Sequence, residues 1–436
     1  MYRKFYDVLI NWKKKNTKEP LLVTGARQVG KTWIIDRFCR EQFSDYASFN
    51  FESNPELDSV FSGSLEPDHL LRQLSILAGR QLTSDTVLFF DEIQRCERAI
   101  TSLKYFCESA QEYHVIGAGS LLGVKLNRFE SSFPVGKVQI LQMFPMDFEE
   151  FLLAAGQKLL LEEIRRAYES MTGLSEALHQ RAMQYYRDYL YVGGMPQCVC
   201  SYVDSGCNVM QFNRSLQEYI TLAYSADMSK YTYGAAEGPK ISAVYQSVPR
   251  QLARENPKFK YTSIRPYANR RDFTLPLDWL LSAGMIIKVT KAELPMAPLK
   301  AFADDNAFKV YLSDTGLLAY LSGLEYRDLL PSAENIFKGA VTENFIVQTL
   351  LPVFRDLYYF KPDPSMEIDL LINTEKGIVP IEIKSGRNKR SVSLKNYEGK
   401  YSPERMIRIS ENNFGKAGKL LSVPLYAAFC INQALL

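Results

Sequence analysis

Gly25 and Gly30 bracket four residues and are followed at once by Lys31 and Thr32, so LLVTGARQVGKTW, Leu21 to Trp33, sets an apolar run against a G-x-x-x-x-G-K-[ST] loop. Phosphate chemistry explains each residue type. Glycines let backbone N–H groups turn inward around an anion, a lysine ammonium reaches the β- and γ-phosphates, and a threonine hydroxyl is offered to Mg²⁺. A helix starting after the loop adds the positive end of its dipole. The residues expected to line a nucleotide are Gly25, Ala26, Arg27, Gln28, Val29, Gly30, Lys31, Thr32 and Trp33, with ATP and Mg²⁺ as cofactors.

A second signal is Thr86-Val-Leu-Phe-Phe-Asp91-Glu92, an apolar strand run that ends in adjacent carboxylates. An unpaired carboxylate at the end of a core strand costs several kcal/mol, so a cation or its water is expected opposite. Asp91 is assigned to the Mg²⁺ shell and Glu92 to polarising an attacking water, a role typically worth about 10²–10⁴ in rate. Ser120 follows a further strand, where ATPases of this kind set a polar residue near the γ-phosphate; a cap in a glycine-rich turn is the plainer reading. Arg128, in the loop before the fifth strand, is a candidate for completing a neighbouring subunit's site, with Arg95 and Arg98 as competitors.

The third signal lies near the C-terminus: Glu343 in the helical TENFIVQTLL, then Glu367-Ile-Asp369-Leu-Leu-Ile, then Ile381-Glu382-Ile-Lys384. Alternation puts Glu382 and Lys384 on one strand face, and a hairpin centred on Glu375-Lys-Gly377 brings Asp369 alongside. Glu343, Asp369 and Glu382 are expected to bind Mg²⁺ and activate a water for attack on a phosphodiester, with Lys384 stabilising the developing charge. Charges alternating along an exposed edge strand are the structural alternative. Ser385-Gly-Arg387-Asn-Lys389-Arg390 adds cations suited to a polyanion.

These groups need elements to hold them. Strand runs at LLVTG, Ala47 to Glu52, VLFFDE, His114 to Gly119 and Val138 to Leu141 alternate with helices, an α/β pattern with a parallel sheet, over 1–150. Residues 151–218 turn helical and read as a lid, in which Gly193-Gly194-Met195-Pro196 breaks the backbone either to pass a nucleotide base or to end a helix. Between 219 and 330, helices followed by the apolar LDWLLSAGMIIKV and Phe308-Lys-Val-Tyr-Leu suggest a winged helix. There Lys258-Phe-Lys260-Tyr-Thr-Ser-Ile-Arg265-Pro-Tyr-Ala-Asn-Arg270-Arg271 interleaves cations with aromatics, which suits phosphate contact and base stacking. Residues 331–436 form the last region.

Composition fits an enzyme rather than a fibre or a membrane protein: 46% of the 436 residues are apolar and 23% charged, and no stretch of eighteen is uninterruptedly apolar. The N-terminal MYRKFYDVLINWKKK reads as an amphipathic helix without the features of a signal peptide, so a cytoplasmic location is expected. Seven scattered cysteines are expected to be reduced, with Cys198, Cys200 and Cys207 structural because no fourth ligand lies at zinc spacing. His69, His114 and His179 are too few for histidine-based chemistry. A net charge of +3 leaves any nucleic-acid contact to local patches.

GARQVGKTW, FFDEIQRC, SLKYFCE, GAGSLLG, SFPVGKV, FPMDFEEFL, GGMP, YLSDTGLL, TENFIVQTL, EIDLLI and PIEIKSG, in this order and nearly end to end, resemble the bacterial and archaeal family of AAA-type ATPases fused to a C-terminal domain of uncharacterised function. The resemblance implies a P-loop parallel sheet with Glu92 as catalytic base, a helical lid, a winged-helix middle and a C-terminal α/β domain similar to PD-(D/E)xK nucleases. In that comparison Asp369, Glu382 and Lys384 match the nuclease motif and Glu343 its helix-borne acid, while Ser365-Met366 stands in place of Pro-Asp. The reading is an ATP- and Mg²⁺-dependent protein acting on nucleic acid, DNA in the first instance, as a homo-oligomer and away from membranes. The rival is an ATP-controlled switch that binds a protein partner through an inactive nuclease-like domain. A nucleotide kinase fits less well, since adjacent Asp and Glu mark activation of water rather than of a substrate hydroxyl.

Overall fold

The central strands carry near-continuous apolar runs, which need cover on both faces and so favour a parallel sheet between helices. A computed structural model describes residues 1–15, 19–126, 134, 136–230, 237–254, 258–333, 337–386 and 391–433. The chain divides into two units, Met1–Pro145 with Ser282–Gly284, and Met146–Leu281 with Met285–Leu436.

In the first unit, β1 (Leu21–Thr24), β2 (Asp45–Asn50), β3 (Thr86–Asp91), β4 (Val115–Ala118) and β5 (Gln139–Gln142) form a parallel sheet in the order β2-β3-β4-β1-β5. The five strands are those expected from sequence. β1, β3 and β4 are buried along their whole length, whereas β2 and β5, at the edges, are only partly so. Phe51 and Phe61 meet Phe90 of β3 edge-on, with ring centroids 5.9 and 5.8 Å apart, in a core that includes Leu70, Leu103 and Phe106. Aromatic pairs in this geometry each add about 0.5–1.5 kcal/mol beyond the area they bury, and here they fix β3 in depth. The β3 register sets Asp91 beside Asn50 on one side and Ala118 on the other. Charged groups therefore collect at the carboxyl ends of the strands, where open α/β sheets bind ligands.

The second unit has β6 (Ile286–Ala292), β7 (Ala303–Leu312), β8 (Leu357–Asp363), β9 (Met366–Thr374), β10 (Gly377–Ile383), β11 (Met406–Ser410), β12 (Gly415–Ala417) and β13 (Leu420–Pro424) in one mixed sheet, ordered β12-β13-β11-β10-β9-β8-β6-β7. The hairpin between β9 and β10 is where the sequence set it, with Gly377 at φ +104 opposite Thr374. The β6–β7 hairpin, read from sequence as the wing of a separate middle domain, is extended through parallel pairing of β6 with β8. An isolated two-stranded hairpin is marginal in water, and joining a larger sheet supplies its missing cover.

Helices of this unit begin where their caps predict. Asp147 accepts from Glu150 N at 2.9 Å while the Glu150 carboxylate accepts from Asp147 N at 3.1 Å, a capping box at the start of Phe148–Ala154. Gly193-Gly194 ends the Glu176–Val192 helix. A side chain at Gly193 would meet Asp314 Oδ1 at 2.3 Å, and Gly194 N donates to Asp314 Oδ2 at 2.7 Å, so this break is a packed helix-ending turn. His114 lies edge-on to Trp12 and Phe43, and His179 is buried against Tyr426 and the Glu411 carbonyl. All seven cysteines are free thiols, and burial pushes Cys39 up to about 12. Among the described residues no helix is long and apolar enough to cross a membrane.

Candidate functional site

In the first unit the loop between β1 and the Lys31–Gln42 helix is built by backbone geometry that glycine permits. Gly25 sits at φ +139, and a Cβ there would lie 2.2 Å from the Met143 carbonyl oxygen; Gly30 sits at φ +93 and caps the helix without a side-chain hydrogen bond. Gln28 is also left-handed, at φ 66. Lys31 is buried, and its Nζ donates to Gly25 O at 2.9 Å and Ala26 O at 2.8 Å, folding the ammonium into the loop it follows. Val29 and Ala26 are buried, whereas Trp33 stands half exposed on the first turn of the helix.

Thr32 Oγ1 lies 3.2 Å from each carboxylate oxygen of Asp91, so the loop and the end of β3 converge. Asn50 Nδ2 donates to Asp91 Oδ2 at 3.1 Å and Glu92 N to Asp91 Oδ1 at 3.1 Å. Burial first, and then the charge of Glu92, raise the Asp91 pKa above the ordinary aspartate value. Glu92 itself is left-handed, φ 52 and ψ 36, a conformation that costs a non-glycine residue about 1–3 kcal/mol unless its surroundings impose it. Ser120 is buried directly beyond β4. Of the arginines proposed to act on a neighbour, Arg128 lies outside the described residues. Arg95 pairs with Glu52 at 2.6 Å, and Arg98 donates to Phe61 O and Gly63 O at 2.5 Å each, so both are engaged within their own chain.

The second unit carries an acid–lysine cluster. Asp369 of β9 accepts from Ile383 N of β10 at 2.7 Å, which brings it to the strand that holds Glu382; Lys384 Nζ lies 3.2 Å from Glu382 Oε1. Glu382 is buried, and its other carboxylate oxygen has no hydrogen-bond partner among the described residues. Glu343, on the Phe337–Phe354 helix, turns to two residues of β7: Lys309 Nζ at 2.9 Å and Tyr311 Oη at 2.5 Å. Lys309, 2% exposed, also lies 3.5 Å from Glu367, which Lys361 approaches at 2.5 Å.

Burial pushes the Lys309 pKa down, but the charges of Glu343, Asp369 and Glu367 outweigh it and hold it above the usual lysine value. Burial, and next the charge of Glu343, raise half-buried Asp369 to about 7. The sequence grouped Glu343, Asp369 and Glu382 around a metal. Among the described residues no three His, Cys, Asp or Glu side chains are close enough to hold one, and an ammonium stands among the carboxylates instead. Lys309 was missed because, in the β7 run Phe308-Lys-Val-Tyr-Leu, it reads as an ordinary strand cation.

Of the cation–aromatic segment, Phe259 is core, stacked on Phe308 at 5.3 Å, while Lys260, Arg265, Arg271 and Tyr267 face solvent, Tyr267 at 96% exposure. The basic run Arg387–Arg390 lies outside the described residues.

Residues 17–152 match the family model described as "AAA domain". This segment is similar to AAA-type P-loop domains. Residues 183–328 match "Domain of unknown function (DUF8612)" and 338–426 match "Domain of unknown function (DUF4143)". Solved structures similar to the chain include the Walker-type ATPase PABY2304 of Pyrococcus abyssi, 15% identical over 73% of this chain and 95% of that one, TM-score 0.43. The Aeropyrum pernix ORC2 protein is 12% identical over 77% and 92%, TM-score 0.36, and the Thermotoga maritima RuvB Holliday junction branch migration motor 17% identical over 66% and 89%, TM-score 0.29. No curated protein matches the chain.

Three residues of the first unit that sequence reasoning passed over support the phosphate loop. Arg3 is buried and donates from Nη1 to Val29 O at 2.8 Å and from Nη2 to Phe144 O at 2.8 Å, clamping the phosphate loop from the N-terminal segment. Asn50 braces Asp91, and Gln94 donates to the Glu92 carboxylate. The Asn50 and Gln94 signals were present in the strand register and the FFDEIQ run; nothing local to Arg3 announced its reach.

Proposed function

We propose that the AAA domain binds ATP with Mg²⁺ and hydrolyses it, and that this cycle controls contact between the second unit and nucleic acid, DNA in the first instance. The observation that carries the reading is the approach of Thr32 Oγ1 to Asp91, 3.2 Å to each oxygen. A hydroxyl and a carboxylate are the hard oxygen donors that Mg²⁺ takes beside phosphate, and a dication there would offset both the burial of Asp91 and its repulsion from Glu92. When bound, Mg²⁺ neutralises phosphate charge.

The side chains divide the remaining work. Lys31 exchanges its two carbonyl partners for phosphate oxygens, and the loop N–H groups between Gly25 and Gly30 cradle the anion. Glu92 takes a proton from water as the water oxygen bonds to the γ-phosphorus and the bridging bond breaks, leaving ADP and phosphate. Ser120 stands on the γ-phosphate side. Lys260, Arg265, Arg271 and exposed Tyr267 support contact with a nucleic-acid backbone and base.

For the C-terminal cluster Lys309 favours one element of the rival sequence reading, a nuclease-like domain that does not cut, while the nucleic-acid partner of the first reading is kept in place of the rival's protein partner. A buried ammonium 2.9 Å from Glu343 and 3.5 Å from Glu367 already supplies the positive charge that a nuclease takes from its metal. The test follows phosphate release and cleavage of single- and double-stranded DNA, with Mg²⁺ or Mn²⁺, for wild type, Glu92→Gln and Asp369→Ala. Hydrolysis lost in Glu92→Gln, uncut DNA, and DNA affinity falling steeply between about 50 and 200 mM salt are expected. Turnover retained by Glu92→Gln removes the base assignment, absence of phosphate release in wild type overturns the ATPase assignment, and cutting abolished by Asp369→Ala restores the nuclease.

A further inference from the structure

Gln94 lies two residues beyond Glu92 and is buried, 6% exposed. Its Nε2 donates to Glu92 Oε2, while its Oε1 has no hydrogen-bond partner among the described residues. That oxygen rests over Gly119, the residue after β4: a Cβ at Gly119 would lie 1.7 Å from Gln94 Oε1 and 2.7 Å from its Cδ. The two residues are thus fitted to each other, since any side chain at 119 would expel the amide. Glu92 has little slack, because its left-handed backbone leads into fully buried Ile93.

The geometry points to Gln94 as a positioning residue that sets the Glu92 carboxylate according to the end of β4. The inference rests on Glu92 being the base. One face of the amide holds the carboxylate and the other bears on Gly119, next to Ser120, so a shift of the Gly119–Ser120 backbone moves the amide and the carboxylate follows. The β4 end, on the proposed γ-phosphate side, thereby reports to the group that activates water. Gln94 touches neither nucleotide nor water in this scheme and acts only through Glu92.

The test is a double-mutant cycle read in kcat and, separately, in ATP affinity. Gln94→Ala is expected to lower kcat about ten- to a hundredfold, as small misplacements of reacting groups do, without changing the Kd for ATP. Gly119→Ala is expected to do the same by displacing the amide, and the double variant to be no slower than Gln94→Ala alone, because once the amide is gone the added methyl has nothing to push. Gln94→Met keeps most of the volume but removes the donor; it should match Gln94→Ala, and it carries the test alone should Gly119→Ala fail to fold. Additive losses in the cycle, or a wild-type kcat in Gln94→Met while Glu92→Gln is inactive, overturn the proposal. Turnover retained by Glu92→Gln is a different result: it removes the base assignment, and the positioning role with it.

Discussion

Lys309 Nζ lies 2.9 Å from Glu343 Oε1, joining β7 to the Phe337–Phe354 helix through a buried ion pair that Glu367 extends at 3.5 Å. Breaking a buried pair by removing one partner costs about 3–5 kcal/mol, because the charge left behind is neither paired nor hydrated. Lys309→Met should lower the thermal midpoint accordingly. Millimolar Mn²⁺ should restore part of the loss in the variant, whose carboxylates then lack their ammonium, and should leave wild type unmoved. An equal Mn²⁺ shift in wild type would show that the ammonium does not stand in for a metal.

Asp369 gives the cluster a pH dependence whose sign is fixed. Its pKa is raised from 3.8 to about 7 by burial and by Glu343, so folding favours the protonated form. The contribution is therefore fully present below about pH 4 and lost as pH rises through 7. Asp369→Asn, neutral at every pH, should unfold later than wild type at pH 8 and flatten the stability profile between pH 4 and 7. Chemical denaturation at pH 5 and pH 8 checks this, and a variant less stable than wild type at pH 8 would contradict it.

What the sequence displayed and what it hid follow from the range over which each signal acts. The five strands of the AAA domain were legible because buried parallel strands show as unbroken apolar runs, and Gly25 to Thr32 because loop chemistry is written in consecutive residues. The β9–β10 hairpin was legible for the same local reason. The pairing of β6 with β8 was not: parallel pairing joins segments far apart in the chain and leaves no periodicity of its own. Lys309 and Arg3 were hidden likewise, since a buried cation is revealed only by the groups that neutralise or accept from it, here on other elements.

Arg3 allows the clamp on the phosphate loop to be tested. Its two donations, to Val29 O and Phe144 O, tie the loop to the strand-end segment after β5. Each hydrogen bond from a charged group contributes about 1.5–3 kcal/mol, and a loosened loop has to be ordered again when phosphate binds. Arg3→Ala should destabilise the first unit by roughly 3–6 kcal/mol and weaken ATP binding by about tenfold. Arg3→Lys, which offers a point charge instead of a fork, should recover only part of either. Calorimetric titration of a non-hydrolysable ATP analogue against the three proteins measures the affinities and denaturant unfolding their stabilities, and an unchanged affinity in Arg3→Ala would remove the clamp from the binding mechanism.

Lys31 separates nucleotide binding from folding. Its Nζ bonds to Gly25 O and Ala26 O hold the loop closed before any phosphate arrives. Lys31→Ala therefore loses two local bonds as well as the phosphate contact, and its midpoint without nucleotide should fall slightly. The decisive reading is the difference made by ligand. ATP at a hundred times its Kd should stabilise wild type by about 2.7 kcal/mol, whereas Lys31→Ala at the same concentration should show little shift and a turnover reduced at least a hundredfold. A variant that keeps the ATP-induced shift but not the turnover would place Lys31 in the transition state alone; one that keeps both would show that the loop binds its ligand by its backbone, and the lysine would lose its assigned role.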